Sequence, residues 1–120
     1  MPNAWEDPIA AWHDAVNGRE AGAARAAMTD PVEVAGPRGA QVIAAEAFVE
    51  WIFRSGIRLR PLRTHPVDAT TVVVEQEATW DAAPEQVTRV ATLFRVRDGA
   101  VSAARRYSTR DEALGYSHEP

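Results

Sequence analysis

The residues able to do chemistry in this sequence are few and scattered. Glu33 lies in the stretch Pro31–Ala35, Gln76 stands between Glu75 and Glu77 in Thr71–Trp80, and the three histidines are His13, His65 and His118. A carboxyl group buried among aromatic rings has a raised pKa and becomes a general acid or base. Glu33 would serve in that way on an inward strand face; on a solvated edge strand it would do nothing. Gln76 cannot ionise. Within an apolar face it would orient a ligand carbonyl or hydroxyl, or satisfy a helix end or a water. His13 sits off the apolar stripe of its helix and is expected at the surface. His65, beside Pro66 at a strand bend, is expected at the rim or surface. With no His-x-His or His-x-x-x-His spacing and no cysteine, no metal or cofactor is expected, and neither a disulfide nor a thiolate nucleophile is possible.

Charge narrows the partners. The net charge of −4 argues against nucleic acid or an anionic membrane. Arg54, Arg58, Arg60 and Arg63 form a local basic stretch that would bind an anion or form a solvated strand face. Gly36-Pro37-Arg38-Gly39 lacks the spacing and the Lys-Ser/Thr ending of a phosphate loop. No signal peptide and no bilayer-spanning run is visible, and the lack of cysteine fits a cytoplasmic protein.

These side chains must be held by elements legible from periodicity. A chain of 120 residues, 46% of them apolar, is expected to form one domain, 1–120, with a real core. Trp5–Asn17 reads as a helix with Trp5, Ile9, Trp12 and Val16 as its apolar stripe and Gly18 as its stop. A second helix is expected over Arg19–Met28, then a turn at Thr29-Asp30-Pro31. The short strand Pro31–Ala35 puts Val32 and Val34 on one face, Glu33 and Ala35 on the other. The strongest helix spans Ala40–Ser55, opened by the Gly36–Gly39 loop and ended by Gly56.

From Ile57 the period becomes two. Ile57–Val67 is a strand confined by Pro61 and Pro66 to an edge, bulge or bend. Thr71–Trp80 reads as the central strand, with Val72, Val74, Gln76, Ala78 and Trp80 on one face. Asp81–Glu85 is a loop and Gln86–Arg97 a strand. Asp98-Gly99 is a hairpin turn, and Val101–Ser108 is the last strand. Its inward face has two solutions. Alternation places Val101, Ala103, Arg105 and Tyr107 together, whereas a bulge selects Ala104, Arg106 and Ser108; the first puts Tyr107 inward and is the expectation taken. Thr109–Leu114 is a short helix or turn, and Tyr116–Pro120 a frayed tail. Helices early and strands late imply an α+β domain with one helical layer. The other sheet face is then left for a second subunit.

Several stretches carry a resemblance. Trp12-His13-Asp14-Ala15-Val16-Asn17-Gly18, Asp30-Pro31-Val32-Glu33-Val34, the Gly36–Gly39 loop and the hairpin Phe94-Arg95-Val96-Arg97-Asp98-Gly99-Ala100-Val101 are similar in spacing to the NTF2-like superfamily. Within it they resemble the SnoaL-like group of small bacterial proteins. The resemblance covers roughly Trp5–Leu114. It implies a cone of curved antiparallel sheet, about three helices from the N-terminal half on its concave face, a deep pocket, and a homodimer through the outer sheet face. Its members range from isomerases, cyclases and dehydratases to non-catalytic proteins, so it does not fix a reaction.

Laid against the isomerases of that fold, Ala35 falls at the catalytic base, Trp12 at the tyrosine and Thr92 at the second acid. None of the three carries the needed group. Glu33, two residues before Ala35, is the best remaining acid, placed by this resemblance among Trp12, Trp80 and Phe94. The expected site is therefore Glu33 as acid–base carboxylate, with Trp12, Gln76, Trp80, Thr92, Phe94 and Tyr107 around a small hydrophobic ligand. An isomerase, cyclase or dehydratase would use it so; a non-catalytic binding or interaction module would not.

Overall fold

The computed structural model describes residues 4–36 and 39–116. Helix α1 (Glu6–Asn17) buries Ile9, Trp12, His13 and Val16. Those positions are i, i+3, i+4 and i+7, so His13 belongs to the buried stripe and not to an exposed flank. The helix stops with Gly18 as cap, but the left-handed residue is Arg19, at φ 56°. The Arg19 N–H reaches Val16 O at 3.3 Å and the Glu20 N–H reaches Ala15 O at 3.0 Å, the paired bonds that close a helix C-terminus. Helix α2 (Ala21–Ala26) follows, shorter than expected at both ends.

Strands β1 (Met28–Gly36) and β2 (Gly39–Ile43) form an antiparallel hairpin in which Gly36 faces Gly39. Here the expectation of a helix from Ala40 is corrected. Gln41, Val42 and Ile43 pair with Val34, Glu33 and Val32, and this non-local ladder overrides the apolar spacing that suggested helix. The loop residues Pro37 and Arg38 lie outside the described residues, as do 117–120 of the expected tail, including His118. Helix α3 (Ala45–Ser55) starts only after Ala44, whose backbone is extended. It lacks a side-chain cap of its own, and Asp30 of β1 supplies one by accepting the Ala45 N–H at 3.1 Å. Gly56, at φ 71°, ends the helix.

The remaining elements are β3 (Ile57–Pro66), β4 (Thr71–Trp80), β5 (Ala83–Arg97), β6 (Ala100–Tyr107) and α4 (Arg110–Tyr116). They complete a six-stranded curved sheet in the order β2-β1-β6-β5-β4-β3, not closed into a barrel. The sheet is mixed: β1 runs parallel to β6, and the other neighbours are antiparallel. β5 and β6 are the middle strands, so β4, expected at the centre, lies one strand from the edge. β3 is the edge itself, with a register shift between Pro61 and Arg63 where proline cannot donate to the ladder. β5 begins at Ala83 and absorbs much of the expected loop.

Two packed clusters separate the faces. The larger joins α1, α2 and α3 to the concave side through Trp12, Val16, Phe48, Ile52, Val74 and Phe94 among others. Each such side chain contributes about 1.5–3 kcal/mol when fully buried. The smaller cluster gathers Val73, Ala91, Leu93 and Ala113 on the convex side, with Tyr107 and Leu114 against it. Helix α4 packs there on β4, β5 and β6, so part of the face expected to await a second subunit is covered by this chain itself. Among the described residues, no helix is long and apolar enough to cross a membrane.

Candidate functional site

Between the helices and the concave face lies a cavity of about 460 Å³. Trp12 of α1, Ile43 of β2, Phe48, Trp51 and Ile52 of α3 and Leu59 of β3 supply apolar walls. The polar side chains on it are Gln41, Thr92 and Arg106; among the described residues lining it there is no carboxylate and no histidine. Trp51, 52% exposed, stands at the mouth, its ring stacked on Phe48 at 6.2 Å between centroids. The wall from α1 is held in place by Asn17. Its amide donates to Leu59 O at 2.7 Å and accepts the Leu59 N–H at 2.9 Å, docking the end of the helix onto the edge strand. Arg19 donates to Ile57 O at 2.7 Å beside it.

Beneath the cavity floor runs a buried polar chain whose donors and acceptors follow from one carbonyl. His13 Nδ1 lies 2.9 Å from Ile9 O. A carbonyl only accepts, so Nδ1 carries the proton. Burial pulls the His13 pKa below its ordinary value, opposed by the Ile9 bond and by the charge of Asp14, so the ring is neutral and Nε2 is an acceptor. The Gln76 amide nitrogen, 2.8 Å away, donates to it. This fixes the amide with Oε1 towards Thr92, whose hydroxyl donates at 2.6 Å. The Thr92 proton is thereby committed, and its oxygen presents lone pairs to the cavity. Trp12 and Phe94 enclose the imidazole, with ring centroids 5.1 and 5.5 Å from it.

Arg106 stands directly across from Thr92 on the neighbouring strand. It does so because of one extra residue. Arg97 faces Ala100 and Val96 faces Val101, but Arg95 faces Ala103, so Ser102 is bulged out of β6. Beyond it Leu93 faces Arg105 and Thr92 faces Arg106. Partial burial pulls the Arg106 guanidinium below its ordinary pKa. Its side chain is open to the cavity, hence both accessible and partly shut off from bulk water. It forms no ion pair or hydrogen bond with the described residues.

The structure brings Trp12 and Thr92 to the cavity wall, as expected, and sets Gln76 behind Thr92 at 0% exposure. Phe94 is fully buried as packing beneath Trp12, at 5.0 Å, and does not line the space. Trp80 is half-buried at the end of β4 and lines no part of it. Two placements are corrected. Tyr107 lies on the convex face, because the bulge at Ser102 shifts the alternation by one. Glu33 lies there too: Val32 and Val34 take the core side, and its carboxylate meets Arg105 at 3.4 Å and Arg95 at 3.7 Å. Ala35 does border the cavity, but so does Val34, because both sit where the strand runs into its hairpin. Ala35 therefore does not bring Glu33 with it. Of the basic stretch, Arg58 pairs with Asp81 at 3.0 Å and Arg60 with Glu77, while His65 meets Glu75 at 2.8 Å.

Two functional groups were missed or left aside. The signal for His13 was the spacing Ile9, Trp12, His13, Val16; for Arg106 it was the bulge solution of the last strand.

No family model and no curated protein matches the sequence. Solved structures do resemble it. An NTF2-like protein of unknown function from Cytophaga hutchinsonii superposes with a TM-score of 0.74 at 11% identity, over 95% of this chain and 96% of that one. A computationally designed 17-OHP binder matches at TM-score 0.72 and 14% identity, over 92% of this chain and 95% of the design. A protein of ketosteroid isomerase-like fold from Catenulispora acidiphila, in complex with trimethylamine, matches at 0.68 and 18%, over 96% and 95%. At such identities a likeness carries the fold and nothing finer. The mixed curved sheet, the three helices on its concave side and these superpositions establish that the chain has the NTF2-like fold.

Proposed function

We propose that this protein binds a small hydrophobic molecule in the concave cavity without acting on it by proton transfer. The observation carrying the reading is the composition of the wall. It is apolar except for Gln41, Thr92 and Arg106, and Thr92 offers a hydrogen-bond acceptor fixed by the buried chain behind it. An acid–base reaction needs a titrating group within reach of the substrate. Glu33, the carboxylate expected in that role, sits across the sheet against two arginines, and His13 is sealed beneath Gln76. A volume of about 460 Å³ lies in the range of small-molecule sites. Such a ligand would be anchored by a donor, an alcohol or phenol, placed against the Thr92 oxygen. That a designed binder shares the fold supports the view that it can hold a small molecule with no reaction attached.

Thermal shift and tryptophan emission with 2-naphthol and 2-methoxynaphthalene test this, since Trp12 and Trp51 both border the space. The naphthol is expected to bind about three- to tenfold more tightly, the worth of one net hydrogen bond. Ala104→Phe, which fills the floor, should abolish both signals. The reading fails if neither probe perturbs the wild-type protein.

A further inference from the structure

We infer that the molecule held in this cavity is an acid, with a carboxylate at one end that pairs with Arg106. The inference rests on reading the cavity as a ligand site and adds the charge of the occupant.

The arginines sort by what they face. Arg19 and Arg58 share Asp81, Arg60 meets Glu77, Arg95 and Arg105 share Glu33, and Arg110 meets Asp111. Arg106 is the only cation among the described residues lining the cavity, and it has no such partner there. The chain carries 17 acidic residues against 13 basic ones, so carboxylates are not scarce; among the described residues none forms an ion pair with this guanidinium or lines the cavity. In a wall of tryptophan, isoleucine and leucine the guanidinium keeps solvent contact but is flanked by side chains that cannot hydrogen-bond it, so an anion entering the cavity meets an available charge. A planar guanidinium binds a carboxylate by two parallel hydrogen bonds, which fixes orientation as well as charge.

Position adds a second argument. Arg106 and Thr92 are cross-strand partners, so the cationic donor and the fixed acceptor stand side by side at one end of the space. Phe48, Ile52 and Leu59 offer no polar atom elsewhere. A ligand complementary to this layout carries a carboxylate for Arg106, a hydroxyl beside it to donate to the Thr92 oxygen, and hydrocarbon over the rest. The competing account is that Arg106 lays its methylenes along the wall and turns its head to water. That account gives a neutral ligand no disadvantage.

The two accounts separate with isosteric probes on the full chain: decanoate against decanamide, and 2-naphthylacetate against 2-naphthylacetamide, by thermal shift and tryptophan emission. Wild type is expected to prefer each acid at least tenfold, with the preference falling as salt is raised. Arg106→Gln should cut acid affinity at least tenfold and leave the amides within about twofold. Arg106→Lys should fall between, and it serves equally if the Gln variant does not fold. Equal binding of acid and amide by wild type overturns the inference and leaves the cavity reading intact. So does an acid preference that survives Arg106→Gln. If wild type binds neither the acids, nor the amides, nor 2-naphthol, both readings fail together.

Discussion

Arg105 and Arg106 are consecutive residues with opposite situations. Arg105 is 1% exposed on the convex face, meets Glu33 and lies 6.0 Å from the Tyr107 ring. Arg106 faces the concave cavity with no carboxylate beside it among the described residues. The convex arginine is a structural group: its charge is matched and its removal would leave Glu33 short of a partner. The concave one makes no side-chain ion pair or hydrogen bond with the described residues. What distinguishes them is which side of one sheet each happens to face. A polar group paired within the chain is scaffolding, whereas a cavity-facing one with no partner among the described residues is the anchor for the ligand proposed above.

The comparison can be broken by stability measurements in urea. The largest cost should come from another buried polar group paired within the chain, Gln76. Gln76→Leu leaves the His13 ring nitrogen and the Thr92 hydroxyl without partners, at about 1–3 kcal/mol for each. A loss of less than about 1 kcal/mol would mean that the buried chain is not structural. Next, Arg105→Met should cost about 2 kcal/mol. That is below the 3–5 kcal/mol of a fully buried pair, because Glu33 keeps Arg95 and part of its solvent contact. Arg106→Met in parallel should stay within about 0.5 kcal/mol of wild type, as changes away from packed networks do. Equal losses for the two arginines would erase the distinction drawn between them.

The buried chain also predicts a pH dependence. His13 is held neutral, with its folded pKa below the ordinary 6.5. As pH falls through 6.5 the unfolded chain takes up a proton that the folded chain resists. Stability should therefore decline from there down to the lowered folded value, by at most about 1.4 kcal/mol per pH unit. Above that window His13 contributes no slope. His13→Asn should flatten the wild-type difference between pH 7.5 and pH 5.5; an unchanged slope would put the effect elsewhere.

Much of the architecture was legible because it follows from local periodicity and turn chemistry. Helix α1 was readable from its apolar stripe, the edge position of β3 from its prolines, and the β5–β6 hairpin from Asp98-Gly99, both of which have positive φ. Strand β2 was not, since Val42 and Ile43 suit either element and only pairing with β1 decides. The site was half legible. Thr92 and Gln76 share a face with their apolar neighbours and were placed by alternation. Glu33 was misplaced because its assignment leaned on Ala35, whose position at the cavity reflects a strand end and not a strand face. Tyr107 and Arg106 depended on a bulge, which alternation alone does not reveal.

Ser102 carries more consequence than its size suggests. Counting back from the hairpin, an unbulged ladder would set Arg105, not Arg106, opposite Thr92. The single extra residue thus acts as a selector, deciding which of two identical side chains meets Glu33 on the convex face and which faces the concave cavity. Which arginine the cavity receives is thus encoded by chain length between two fixed points: one residue inserted there would exchange the two arginines, whereas deleting Ser102 itself would flatten the bulge and leave Arg106 opposite Thr92.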